Sequence, residues 1–551
     1  MKKIFTAFVF CFLCGECFSQ AGEWIWVHGD TTAAYSVIYG TQGIPSPANS
    51  PSGTYEGCEW TDKQGKFWFF GSTSYVYDNN LWKYDPSVNM WTWMKGLGLQ
   101  NDTGSYGVQG VPSPNNNPPC RGFGPASWVD TTGNLWLFGG FHYLGQYNTL
   151  NDLWRYEIST NTWTWISGSN IPNQAPVYGT QGIPSIFNTP GARNEAACTW
   201  TDDFNNLWMF GGCDPLGEHY NDLWKYSILT NEWTWMKGAD SAQALGIYGI
   251  QGQANLLNTP GARWCYSNWK DSNGNLWLFG GKQQTTCAYG NLNDLWKYNV
   301  STNEWTWMKG ANFPCDTGST GIKCVSDSSN NPVSRFENRS NWVDNNGNFW
   351  MFGGAAFIPP ASAVLLNDLW MFNMTDNEWI RVWGDTLSSQ FGNYGIMGVS
   401  SPCNKPGGAM GSVSWFDANT NSAYVFGGYQ YNTGGGGSIR NELWKYTIDT
   451  VCLVHNCSSV EIIENKSPKE LLVFPNPTNS SLTISFQSSS NQTIELHIYN
   501  TLGKQIYFSK EEITKGKFEK EINVEIWSEG IYFLQLKTTV GNINRKIIIN
   551  H

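Results

Sequence analysis

Four arginines, Arg121, Arg193, Arg263 and Arg335, each stand six or seven residues ahead of a strand tryptophan, at Trp128, Trp200, Trp269 and Trp342. A guanidinium carries its N–H donors in a rigid fork that meets a carboxylate or another anionic group with two parallel hydrogen bonds. Glu195 and Glu337 follow Arg193 and Arg335 by two residues, which sets acid/base groups beside two of the forks. One use of the set is binding an anionic ligand. The other is internal, each Arg pairing with loop carbonyls or with Glu195 and Glu337. The internal use is favoured because the Arg recurs with a repeat. Gly53 and Gly408 stand at the corresponding points of two further copies.

A second recurrent group is Asp152, Asp222, Asp294 and Asp368, with Asn80 and Glu442 as variants, each two residues before a Trp. Such carboxylates suit calcium, but repetition at every copy favours a turn or a cap at the strand start. The Asp-x-x-Gly-Asn stretches at Asp130, Asp271 and Asp344 read as hairpin turns for the same reason. Six His and no paired Cys-x-x-Cys leave zinc unfavoured, and the reading calls for no metal and no cofactor. A nucleophile elbow, a phosphate loop and a metalloprotease helix are all missing from the sequence. The net charge of -11 disfavours nucleic acid, whose phosphates attract a basic surface.

The element that must position these groups is Asn221 to Gly238, NDLWKYSILTNEWTWMKG. Its apolar and polar residues alternate as in a half-buried strand, turn at Thr-Asn-Glu, and return with Trp233 and Trp235 on one face. Versions of this hairpin place a Trp at 82, 154, 224, 296, 370 and 444, a period of 70 to 74 residues. Upstream of each lies a second hairpin, as in RNEAACTWTDDFNNLWMFGG from Arg193 to Gly212. Four strands per repeat follow. With 31 Trp and 59 Gly, the composition fits short strands packed through indoles. The Trp-x-Trp pairs are accordingly read as packing between repeats rather than as sugar platforms.

These residues resemble the kelch repeat: Arg193 opening the first strand, Gly211-Gly212 closing the second, Tyr226 in the third and Trp233 in the fourth. The resemblance covers roughly residues 21 to 450 and implies an all-β, six-bladed kelch-type β-propeller. The period exceeds the roughly 50 residues usual for kelch. The excess lies in loops such as YGTQGIPS at Tyr39 and Tyr178. The sixth repeat ends without a Trp-x-Trp strand, and Gly22-Glu-Trp-Ile-Trp-Val-His-Gly29 matches the missing piece. The N-terminal strand is therefore expected to close the ring. By the resemblance, Arg121, Arg193, Arg263, Arg335, Glu195 and Glu337 would ring the channel mouth on the long-loop face. Related enzymes bring two alternatives, a galactose oxidase-like copper site, for which only His142 and His219 stand in suitable loops, and a sialic-acid epimerase-like site.

After Thr450 tryptophan almost vanishes and Lys, Ile and Glu rise. Residues 451–469 read as a linker and 470–551 as a small Ig-like β-sandwich of seven strands. Val473-Phe-Pro-Asn-Pro477, Glu529-Gly-Ile-Tyr-Phe533 and Lys546-Ile-Ile-Ile549 resemble the type A C-terminal sorting domain of the type IX secretion system. That resemblance implies contact with the secretion machinery and a secreted or outer-surface-anchored protein of a Gram-negative bacterium. Residues 1–19 have the basic and apolar regions of a signal peptide, leaving residues 20–450 as the propeller. Beyond the signal, no stretch is long and apolar enough to span a bilayer.

Eleven Cys remain after the signal, and export favours pairing. The expected disulfides are Cys315 with Cys324 and Cys452 with Cys457, with Cys198–Cys213 and Cys265–Cys287 as ties within a repeat. The reading that these features favour is a non-catalytic binding module for an extracellular glycan or protein. A carbohydrate-active enzyme working at the channel mouth is the alternative.

Overall fold

The Leu-Trp-Lys-Tyr pattern forms strand Leu223–Ser227, whose Leu223, Trp224 and Tyr226 are buried while Lys225 is half-buried. It pairs antiparallel with Glu232–Lys237, placing Trp224 opposite Trp235 and Tyr226 opposite Trp233. In the computed structural model this hairpin recurs, each time as the outer half of a four-stranded unit. The structure describes residues 21–449 and 471–550, except 33–36, 74–76, 144–146, 196–197, 265–266, 285–289, 359–362, 386–388, 433–435, 489, 501–503 and 539–540. The signal segment, the linker, Cys265, Cys287, Cys452 and Cys457 lie outside the described residues. Among those described there is no helix long and apolar enough to cross a membrane.

The chain divides into two compact units, Met1–Asn456 and Cys457–His551. In the first, the antiparallel path of the third repeat runs Cys198–Thr201, Asn206–Phe210, Leu223–Ser227, Glu232–Lys237. Five repeats supply all four such strands in sequence order, and in the fourth the path carries on into Arg335–Phe336 and its neighbours. In the sixth, Val413–Asp417, Ser422–Phe426 and Leu443–Thr447 take their outer partner from Trp24–His28. There Trp24 pairs with Tyr446 and Trp26 with Trp444.

Burial follows the repeat. One apolar cluster joins each sheet to the next: first to second, second to third, third to fourth, fourth to fifth, fifth to sixth. A sixth cluster joins the last sheet to the first through Phe67, Trp82, Trp91, Trp415 and Phe426. Each buried indole withdraws roughly 150–250 Å² from water, several kcal/mol at about 25 cal/mol per Å². Several first-strand indoles also donate their N–H across the seams. Trp60 donates to the Trp136 carbonyl at 3.0 Å, Trp128 to Trp208 at 2.8 Å and Trp415 to Trp68 at 3.2 Å.

The inner turns need no metal to explain their aspartates. Asp130 accepts from the backbone N–H of Thr132, Gly133 and Asn134, and from Trp136 Nε1 at 2.8 Å. Asp271 and Asp344 hold their turns and Trp277 and Trp350 in the same way.

In the second unit, Leu472–Phe474, Ser481–Ser488 and Gly516–Asn523 form one antiparallel sheet. Gln505–Ile513, Gln492–Asn500, Gly530–Thr538 and Gly541–Ile549 form another. Leu482, Ile484, Leu496, Ile498, Leu534 and Ile547 share one core.

Candidate functional site

The four arginines are not at an open mouth. Arg121 is fully buried, and its fork closes on Asp152: Nη1 to Oδ1 at 2.7 Å and Nη2 to Oδ2 at 2.8 Å. The rest of the fork is used on backbone, Nε on the Pro119 carbonyl and Nη1 on that of Gly139. Arg193 with Asp222, Arg263 with Asp294 and Arg335 with Asp368 repeat this geometry at 2.6–3.0 Å. The carbonyl partners were expected from the sequence, but the carboxylate is the recurrent Asp rather than Glu195 or Glu337. An anion-binding ring of these arginines is thereby corrected, because each guanidinium is committed to a buried carboxylate of its own sheet.

The same Asp gathers the rest of the repeat. Asp152 Oδ2 also accepts from Tyr106 of the long loop and from Trp154 Nε1, both at 2.7 Å. Tyr178 and Tyr248 bind Asp222 and Asp294 likewise. The recurrent aspartate is thus the hub of an Arg-Asp-Tyr-Trp knot, more than the turn or cap expected. Burial of charge on this scale is tolerated because every ionic group is paired and hydrogen-bonded.

Register corrects the first and sixth sheets too. The second Gly of Gly-Gly donates to the carbonyl of Arg193 or Arg263 in the following sheet, and Gly428 and Gly354 donate to Thr54 and Ala409. Thr54 and Ala409, not Gly53 and Gly408, therefore occupy the arginine position. The first sheet matches Thr54 with neutral Asn80, which donates to Tyr39 at 3.1 Å. The sixth keeps an acid, Glu442, but surrounds it with Gln430, Tyr394 and Trp444. Burial raises the Glu442 pKa, as expected of a carboxyl with no facing guanidinium fork.

Two residues past the arginine position the chain turns through the left-handed region, at Glu56 (φ 53°), Phe123 (50°), Glu195 (58°), Glu337 (53°) and Gly411 (66°). Backbone hydrogen bonds string these turns together. Gly411 N donates to Glu337 O, Glu56 N to Gly411 O, Gly124 N to Glu56 O and Glu195 N to Phe123 O, at 2.6–3.0 Å. The belt runs across the inner ends of the sheets on the long-loop side. Glu56, Glu195 and Glu337 come from alternate sheets, and their carboxylate oxygens lie within 4.8 Å of one another. Among the described residues they are the one His, Cys, Asp or Glu group of three or more that is spaced to hold a metal ion.

Glu337 is buried and takes a hydrogen bond from Tyr55. Burial, then the negative charge of Glu56, raises its pKa to about 8. A proton held there lets like charges share the space. Tyr55, Phe123, Tyr77 and Phe141 form an aromatic chain beside the belt, with ring centroids 5.3–6.1 Å apart. Of these, Tyr55, Phe123 and Tyr77 are half-buried. Glu56 escaped the sequence reading because it is offset by one from the assumed first-sheet register; aligning Thr54 with Arg193 would have placed it.

The histidines do not form a copper-like set. His142 Nδ1 lies 2.6 Å from the Cys120 carbonyl, and His219 lies tilted against Trp264 with ring centroids 5.4 Å apart. Burial lowers both pKa values, that of His219 to about 4. Cys198 and Cys213 are both free and buried, which overturns their expected disulfide. Cys198 Sγ points instead to the Ser267 carbonyl in the next sheet. Cys315, Cys324 and Cys403 are disulfide-bonded. Three is odd, so at least one partner lies outside the described residues.

Residues 472–550 match the model of the secretion system C-terminal sorting domain. The chain is 25% identical over 276 residues to Kelch domain-containing protein 10 of Bos taurus and of Homo sapiens, covering 48% of each chain. It is 24% identical over 346 residues to the Xenopus tropicalis protein, covering 61% of this chain and 64% of the other. It spans about half the length of the bovine and human relatives. Among solved structures, YjhT superposes with TM-score 0.45 at 13% identity, over 71% of this chain and 95% of the other. A copper-bound fungal alcohol oxidase of the AA5 family gives 0.41 at 11%, over 97% and 98%. The described residues are all-β, and the chain is similar in its repeat region to these Kelch domain-containing proteins. Its C-terminal unit carries a sorting domain that directs export by the type IX secretion system.

Proposed function

We propose that the chain is an exported binding module: a closed six-bladed propeller whose long-loop face takes a glycan or protein ligand outside the cell. Six seam clusters returning from the last sheet to the first support closure, with Trp24–His28 as the latch. The boundaries at residues 20–450 and 470–551, an Ig-like sandwich for the latter, and a place at the surface or beyond it in a Gram-negative cell belong to the same reading.

The observation that carries binding over catalysis is the sequestration of all four guanidinium groups. What this leaves at the inner long-loop end is a belt with half-buried Tyr55 and Phe123, faces suited to stacking against a sugar or a partner side chain. The test is a glycan array probed with the mature full-length chain. Saturable retention of a glycan class is expected, and retention of none, together with turnover of an offered sugar, would overturn the reading.

A second reading rests on Glu337. A buried carboxyl that keeps its proton near neutral pH, next to two other carboxylates, has the properties of a general acid. A secreted carbohydrate-active enzyme would use it with Glu56 or Glu195 as base. Loss of turnover in Glu337→Gln, with melting unchanged, is the result that this reading requires.

A further inference from the structure

The first strands of the six sheets enclose a cavity of ≈ 400 Å³ at the end opposite the carboxylate belt, where they run into the short inner turns. Its size falls within the roughly 300–1,000 Å³ of small-molecule sites. Its lining is made of small polar side chains from all six sheets, backed by Trp60, Trp128, Trp200 and Trp415.

The hydrogen-bond directions give this lining a definite character. Ser127 Oγ donates to the Glu59 carbonyl at 3.3 Å and Thr201 Oγ1 to that of Val129 at 2.9 Å. Asn268 Nδ2 donates to Thr199 O at 2.7 Å and Asn341 Nδ2 to Arg339 O at 2.6 Å. The first three bonds tie neighbouring sheets together, and the four together commit the Ser127 and Thr201 hydroxyl protons and one of the two N–H donors of each amide. A hydroxyl whose hydrogen is committed presents lone pairs to whatever lies inside, and an amide with one N–H on the wall presents its carbonyl oxygen. The charged member of the lining, Glu59, is neutralised by Arg339 at 3.2 Å. The cavity therefore offers acceptors from several sheets, with the second amide N–H of Asn268 and Asn341 beside them, and little net charge. Such a surface selects against phosphate and carboxylate, gives an ammonium no compensating charge, and suits a neutral molecule rich in O–H donors.

We propose that this cavity is a second binding site, separate from the long-loop face, for one neutral sugar residue. The proposal deepens the glycan reading but does not depend on where the long-loop ligand binds. Sugar hydroxyls would donate to Ser127 Oγ, Thr201 Oγ1 and the Asn268 Oδ1 and Asn341 Oδ1 atoms, each lacking a competing proton.

The test uses the mature full-length chain with glucose, galactose, mannose and N-acetylglucosamine as probes, by saturation-transfer NMR and calorimetric titration. At least one probe is expected to bind saturably, with Thr199→Phe, which fills the cavity, weakening it at least tenfold. Asn268→Leu, a milder change, should weaken it about three- to tenfold, and it remains informative if Thr199→Phe fails to fold. Phe123→Ala, on the belt, should leave this binding unchanged. Binding insensitive to both cavity variants but lost in Phe123→Ala would overturn the cavity site and leave the glycan reading standing. No probe bound, with the glycan array positive, would also overturn the cavity site alone. No probe bound and a blank array would overturn both.

Discussion

Replacing Arg193 by Met keeps most of the side chain's stem but leaves Asp222 ionised and buried, with Tyr178 and Trp224 as its remaining donors. Breaking one side of such a pair costs about 3–5 kcal/mol, against about 0–1 kcal/mol for an exposed pair. Asp222→Asn, which strands the guanidinium instead, should cost a similar amount. The double variant removes both charges, and its total should fall short of the sum by on the order of 2–3 kcal/mol, the coupling of directly contacting groups. The first sheet, with Thr54 and Asn80, shows that the fold accommodates a neutral version. Urea unfolding of the mature chain, followed by tryptophan fluorescence, gives the cycle from the midpoints at constant slope. Single variants within about 1 kcal/mol of the parent, or an additive double, would refute the claim that these pairs are buried architectural units. Glycan affinity of the folded fraction is expected to be the same in all four proteins.

Because the native state holds the Glu337 proton more tightly than the unfolded chain, its stabilising effect is complete below about pH 4.5 and is lost as pH rises to about 8. The decline is at most about 1.4 kcal/mol per pH unit, and melting curves across pH 5–9 should flatten in Glu337→Gln; an unchanged profile would place the proton elsewhere. Deleting residues 21–29 removes Trp24, which is fully buried against Phe352, Trp383 and Tyr446. The first unit should then melt several degrees lower, and an identical melt would count against the latch. Cys58, Cys120, Cys198 and Cys213 are buried thiols, with Cys120 pushed up to about 12. Each should resist a thiol reagent in the native protein and react in denaturant, and rapid native labelling at any of them, mapped by mass spectrometry, would contradict that packing.

The repeat and its strands were legible because hydrophobic alternation and turn residues are local properties, repeated often enough to average out accidents. The pairing of Trp24–His28 with Leu443–Thr447 was legible for a related reason: one repeat lacked a strand and the chain's start supplied a match. The Arg-Asp pairs were harder, since 29 to 33 residues separate the partners. The clue lay in covariation within the chain, as the repeats without Arg are those that carry Asn80 or Glu442 in place of Asp. Glu56 joining Glu195 and Glu337 depends on a one-residue register, which sequence spacing leaves open and Gly-Gly hydrogen bonding fixes. The acceptor character of the inner cavity depends on which way hydroxyls and amides donate, and no linear pattern encodes that.

The central claim is that the long-loop face binds and the arginine knots only hold the fold. The most direct measurement is calorimetric titration of the strongest array ligand into the parent chain, Phe123→Ala and Arg193→Met, with thermal melting of each. The account predicts at least tenfold weaker binding in Phe123→Ala with melting retained, and lowered melting with unchanged affinity of the folded fraction in Arg193→Met. Affinity lost in Arg193→Met at unchanged melting, with Phe123→Ala binding normally, would contradict it.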